Sequence, residues 1–234
     1  MALQVGIVGL PNVGKSTLFN ALTSAKAEAA NYPFCTIDPN VGVVTVPDDR
    51  LDKITEFVKP QKTIPTVMEF VDIAGLVAGA HKGEGLGNQF LQNIRETNAI
   101  IHVVRCFTDP NVVHVSGSVD PIRDIQVIQT ELILSDMDSV DKKIKKLEKA
   151  VRTTTDVDMK TEFALLKKVA EALDQGKAAS TVEITEAELP FSKLLHLLTF
   201  KPVLYVCNVN EDDYSRAEDS DYVSRRSCSR LDYR

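Results

Sequence analysis

Little in the sequence could cross a membrane, build a cysteine metal cage or form a disulfide framework. No apolar run approaches the ~18 residues of a membrane-spanning helix, and the opening MALQVGIVGLP enters a glycine-rich motif without a signal-like leader. A soluble, cytoplasmic protein with no membrane partner is expected. Cys35, Cys106, Cys207 and Cys228 form no Cys-x-x-Cys pair and have no histidine at zinc spacing, so the expectation is of small buried thiols. With 27 Lys+Arg against 33 Asp+Glu, the net charge of -6 excludes a protein that coats nucleic acid by bulk attraction. Only a local basic patch could serve that purpose. What is present is ordinary globular material: 44% of the 234 residues are hydrophobic, enough for one or two domains with a real core.

Runs rich in Val, Ile and Phe recur at 4–9, 42–46, 66–72, 99–107 and 203–208. They are apolar throughout rather than alternating, the pattern of strands covered on both faces of a parallel sheet. Helix-length segments at 15–24, 49–58 and 87–98 lie between them, and this order predicts a three-layer α/β fold. After residue 107 the alternation stops, and most of the stretch before 203 reads as helix. There Ile133, Met137, Val140, Ile144, Leu147 and Val151 step by four and three, and Phe163, Leu166, Ala170 and Leu173 resume the spacing after a Thr-rich turn. The pattern predicts an antiparallel, coiled-coil-like hairpin; two amphipathic helices lying on the sheet are the alternative, because neither arm has three heptads. Residues 214–234 differ in kind, since Ser, Arg, Asp and Tyr fill 16 of the 21 positions. Too little apolar surface is present there to offset ordering entropy, so disorder is expected.

Gly9-Leu-Pro-Asn-Val-Gly14-Lys15-Ser16 fits G-x-x-x-x-G-K-[ST] and lies between a strand and a helix, where the chemistry needs it. The glycines let backbone N–H groups face phosphate oxygens, and the helix N-terminus adds partial positive charge. Lys15 would reach the β- and γ-phosphates, and the Ser16 hydroxyl would ligate Mg²⁺. Asp72-Ile-Ala-Gly75 follows a strand where such proteins place a Mg²⁺-side Asp and a γ-phosphate-sensing glycine. The next segment has four glycines between 79 and 87, which suits a loop ordered by nucleotide.

GLPNVGKST (9–17), NYPFCTIDPN (31–40), DIAGLVAGAHKGEGLGNQFL (72–91), HVVRCF (102–107) and HVSGSVDPIRDI (114–125) resemble the YchF/Obg-like ATPases, a branch of the Obg-related P-loop NTPases, over about residues 1–213. The resemblance implies an α/β fold, a Ras-like P-loop NTPase domain with a mostly parallel sheet. That domain would comprise 1–125 and 200–213, with the helical hairpin inserted at 126–199. It implies that Asn12, Val13, Gly14, Lys15, Ser16 and Thr17 line the phosphates, with Lys15 and Gly75 in the catalytic set. It also implies that Ser16, Thr36 and, through water, Asp72 hold Mg²⁺. Guanine is normally read by Asn-Lys-x-Asp, but this chain has Asn208-Val209-Asn210-Glu211. The lost Lys and the longer Glu misplace the guanine clamp. ATP is therefore expected over GTP, and the resemblance implies that the base is read by the Asn208 side chain and the backbone at Val209, with Glu211 nearby.

Leu76 stands where Ras-type enzymes place the water-orienting Gln, so slow intrinsic hydrolysis is expected. His81 could supply the missing group, or Asn12 could help bind K⁺ beside the phosphates. Lys142, Lys143, Lys145, Lys146, Lys149 and Arg152 crowd one hairpin arm. They read either as a solvated face or, given the family's ribosome association, as a ribosomal RNA contact. No aromatic residues interleave them, so sequence-specific reading of RNA or DNA is not indicated. The resemblance frames a nucleotide-dependent switch in translation or stress regulation; a nucleotide-binding module with little hydrolysis is the alternative. The family continues into a sixth strand, a helix and a C-terminal TGS domain, none recognisable in 214–234. Truncation or a changed reading frame would explain this, with weakened nucleotide binding and an exposed sheet edge as the expected results.

Overall fold

Consecutive Val and Ile residues build the middle of the sheet. In the computed structural model, which describes residues 2–24, 41–73, 75, 79 and 86–214, strands β1 (Leu3–Val8) and β4 (Ala99–Arg105) are buried along most of their length. With β2 (Val41–Thr45), β3 (Val67–Asp72) and β5 (Val203–Asn208) they form a five-stranded sheet in the order β2-β3-β1-β4-β5. Only β2 runs antiparallel to its neighbour, so β1, β3, β4 and β5 all end on one side. That side is where ligands of open α/β sheets bind. The mostly parallel α/β architecture read from the sequence is the one observed. Thr36, Leu76, His81 and the tail beyond residue 214 lie outside the described residues.

Helices α1 (Lys15–Ser24), α2 (Asp49–Val58) and α3 (Leu86–Glu96) follow β1, β2 and β3. The long α4 (Pro121–Val151) is started by Asp120, whose side chain accepts from the Arg123 N–H, and by Pro121 in the first turn. α5 (Val157–Asp174) is capped by Asp156 in the same way. Short helices α6 (Leu189–Leu194) and α7 (Glu211–Tyr214) flank β5.

The first turns of α4 bury Ile128 and Leu132 in the sheet core with Ile7, Phe70, Ile100 and Leu198. Farther along, Ile133 and Val140 pack instead with Leu165, Leu166, Val169 and Leu173 of α5 in a separate core. One continuous helix thus does both things the sequence offered as alternatives: its start lies on the sheet and its far half forms the hairpin. The boundary read at 125/126 falls inside α4.

The hairpin is tied to β5 by Asp136. Fully buried on α4, it accepts from Leu198 N (2.9 Å), Thr199 N (2.8 Å) and Thr199 Oγ1 (2.7 Å), which lie in the 3₁₀ turn leading into β5. His102, in the middle of β4, is a core residue that packs 5.3 Å from the Tyr205 ring. Burial holds its imidazole down to about 4, so it is uncharged at neutral pH. Cys106 is a buried thiol, as expected; Cys207 is disulfide-bonded, which corrects the expectation of thiols throughout. Among the described residues no helix is long and apolar enough to cross a membrane, and no His/Cys/Asp/Glu cluster suits a metal.

Candidate nucleotide-binding site

Residues 9–16 leave the C-terminal end of β1 and wind directly into α1. Two of them have left-handed backbones, Gly14 at φ 98 and Asn12 at φ 61. Glycine adopts this region freely, and asparagine is among the few side chains that tolerate it. Gly14 O accepts from Leu18 N at 3.0 Å, which starts the helix. The first-turn N–H groups thereby face outward beside the loop, an arrangement that attracts anions. Ser16 and Thr17 are exposed, whereas Lys15 is buried and its ammonium donates to Leu10 O at 2.9 Å. Burial lowers the Lys15 pKa, and the negative charge of Asp72 partly opposes the shift.

Parallel pairing sets Ile7 opposite Asp72 and so carries the end of β3 to the loop. There the Ser16 hydroxyl donates to Asp72 Oδ2 at 2.9 Å. A hydroxyl and a carboxylate side by side are the hard oxygen donors that Mg²⁺ prefers. Gly75 lies against the loop itself, where a Cβ would stand 2.9 Å from Pro11 N. β5 closes the other side. Its last residue, Asn208, donates from Nδ2 to Val13 O at 3.0 Å and returns its own carbonyl to Cys106 N at 2.8 Å. The Val209 side chain packs inward beside Val104, Cys106 and Ile125, and exposed Glu211 opens α7.

The connection from β4 to α4 braces this site. Arg105 is 2% exposed and donates to the carbonyls of Phe107 (3.2 Å), Val112 (3.0 Å) and Asp109 (3.4 Å), with its guanidinium 4.5 Å from the Phe107 ring. The loop so fixed presents Val113 O to the Asn12 side-chain amide at 3.2 Å. Next along the chain, His114 Nδ1 accepts from Ser116 N (3.1 Å), which leaves the proton on Nε2 to be donated to Asp124 Oδ2 at 2.8 Å. His114 and Asp124 of the motif at 114–125 thus form a buried clasp between loop and helix.

On the far half of α4, Lys142, Lys145, Lys146 and Lys149 are exposed and share one face by their spacing of three and four. Lys143 instead reaches Leu194 O (3.4 Å), and Arg152 pairs with Glu148 (2.7 Å).

Residues 4–168 match the family model described as "50S ribosome-binding GTPase". The chain belongs to this family. "Ribosome-binding ATPase YchF" of Bacillus subtilis is 59% identical over 225 residues, 96% of this chain and 61% of the relative. The protein of that name from Escherichia coli O157:H7 is 56% identical over 214 residues, covering 92% and 59%. The solved Schizosaccharomyces pombe YchF GTPase superposes with a TM-score of 0.76 at 38% identity, covering 96% of this chain and 63% of that one. The chain thus spans about three fifths of the length of the YchF relatives it matches.

Of the residues singled out from the sequence, Asn12, Val13, Gly14, Lys15, Ser16, Thr17, Asp72, Gly75 and Asn208 converge around the loop between β1 and α1. Three supporting side chains were missed: Arg105, His114 as a clasp, and Glu131, whose Oε1 accepts from Gly79 N at 2.6 Å. An acid within the apolar stripe of Ile128 and Leu132 was a readable signal for the last of these.

Proposed function

We propose that this chain is the nucleotide-binding portion of a cytoplasmic ribosome-binding ATPase that cleaves ATP to ADP and phosphate in a Mg²⁺-dependent switch cycle. The observation that carries this reading is the convergence of Lys15, Ser16, Asp72 and Gly75 on one loop at the C-terminal ends of β1 and β3. Ser16 and Asp72, with Thr36, would hold Mg²⁺, and their oxygen donors fit it. When bound, Mg²⁺ neutralises charge across the β- and γ-phosphates. The loop N–H groups and Lys15 orient the phosphates, and Gly75 lets the segment after β3 close on the γ-phosphate. With Leu76 in place of a water-orienting Gln, turnover is slow unless His81 or K⁺ supplies the missing group. The amide nitrogen of Asn12 is committed to Val113 O, so its side-chain oxygen would be the K⁺ donor.

Asn208 supports the preference for adenine. Its amide nitrogen is committed to Val13 O, which leaves an oxygen acceptor for the base. Adenine offers an exocyclic N–H₂ donor where guanine offers a carbonyl acceptor, so the pairing favours adenine. Titration should give a Kd for ATP at least about tenfold below that for GTP, roughly 1.4 kcal/mol, and phosphate release should follow the same order. Equal Kd values would defeat the adenine reading, and ATP binding without phosphate release would leave a nucleotide-binding module.

Relatives named for ribosome binding make the face formed by Lys142, Lys145, Lys146 and Lys149 the candidate contact with ribosomal RNA. Reversing all four charges to Glu should cut cosedimentation with ribosomes at low salt and flatten its salt dependence, each lost phosphate contact removing roughly one unit of slope. Unchanged cosedimentation would place the contact elsewhere.

A further inference from the structure

α4 carries a buried carboxylate that phosphate chemistry does not use. Glu131 is 4% exposed, and it receives a 2.6 Å hydrogen bond from the backbone N–H of Gly79. Gly79 lies four residues past Gly75, in the glycine-rich segment between β3 and α3. An enclosed carboxylate is costly to leave short of donors. Withdrawing Gly79 would remove a charge-assisted bond, so the position of Gly79 and the state of α4 are energetically linked, and the link works in both directions. The helix that follows the segment is also tied to α4, because Arg95 in the last turn of α3 donates to Ser135 (3.0 Å) and Ser139 (2.9 Å). From Glu131 the helix runs without a break to the lysine face, about 17 to 27 Å away at 1.5 Å per residue.

We propose that Glu131 is a positioning residue that holds the glycine-rich segment at Gly79 and transmits its nucleotide-dependent state along α4 to the basic hairpin face. The transmission half rests on the ATPase reading above, whereas the contact with Gly79 stands without nucleotide. Amide hydrogen exchange of the 234-residue chain, alone, with ADP and with a non-hydrolysable ATP analogue, tests both halves in wild type, Glu131→Ala and Glu131→Gln. Without nucleotide, Glu131→Ala should exchange the Gly79 amide about tenfold faster than wild type, the size of one lost hydrogen bond to a charged group. Glu131→Gln keeps a carbonyl acceptor and should recover at least half of that protection on a logarithmic scale. In wild type, residues 132–151 should exchange differently with ADP and with the analogue; Glu131→Ala should erase the difference and Glu131→Gln restore it. In ATP turnover, kcat should fall about tenfold in Glu131→Ala with KM within about twofold, as expected when ground-state binding is untouched. An α4 response that survives in Glu131→Ala, or a Gln variant no better than Ala, overturns the proposal. If wild type binds no ATP, the ATPase reading fails, and the nucleotide-free comparison still decides whether Glu131 holds Gly79.

Discussion

Replacing Gly14 with alanine is expected to weaken ATP binding at least about a hundredfold, or roughly 2.7 kcal/mol. Two separate penalties meet at this position. The backbone at φ 98 lies beyond the left-handed well that alanine can enter, a strain of about 1–3 kcal/mol. The added Cβ would stand 2.5 Å from Asn208 Nδ2, so the side chain that joins β5 to Val13 O must swing away. The loop amides and Asn208 would thus be displaced together. Gly117→Ala separates the penalties, because Gly117 has φ 76 but open space where its Cβ would go. It should lose some melting temperature while binding ATP as wild type does. Calorimetric titration of both variants reads the difference, and wild-type affinity in Gly14→Ala would mean that this loop does not hold the phosphates.

The parts of this site legible in the sequence were those whose chemistry is local. Residues 9–16 announce their loop because glycine, lysine and serine must stand at fixed offsets along one chain segment, and β1 and β4 announce their burial by unbroken apolar runs. α4 was harder to read because it has two apolar stripes in succession. Ile125, Ile128 and Leu132 face the sheet, whereas Ile133, Met137 and Val140 face α5, an offset of one residue that resembles a new element. Its buried acids were harder still. Glu131 stands out only as an acid within the Ile128 and Leu132 stripe, and Asp136 looks like a solvated helix position; their donors arrive from 52 and 62 residues away. Asp136 was invisible for a further reason: its partners are mostly backbone N–H groups, which have no signature in residue identity.

Asp136 should therefore matter more to stability than any charge on the hairpin surface. Desolvation pushes its carboxyl above the usual carboxylate range, and the bonds from Leu198 and Thr199 together with the nearby Arg95 charge oppose that shift. Asp136→Ala would leave two backbone N–H groups and a hydroxyl without their acceptor in the core, at about 1–3 kcal/mol per unsatisfied group. A total loss of about 3–5 kcal/mol is expected, a large part of the stability of a domain this size. Asp136→Asn should recover little, because an amide offers one oxygen and turns its N–H₂ toward groups that are themselves donors. Lys145→Ala, on the exposed face, should change stability by less than about 0.5 kcal/mol. Urea unfolding followed by circular dichroism distinguishes these values. The same variants test whether the turn at Leu198 sets β5: if it does, Asp136→Asn weakens ATP binding through Asn208 even at temperatures where the chain remains folded. A loss below about 1 kcal/mol in Asp136→Ala would mean that packing of Leu198 in the sheet core holds the turn unaided.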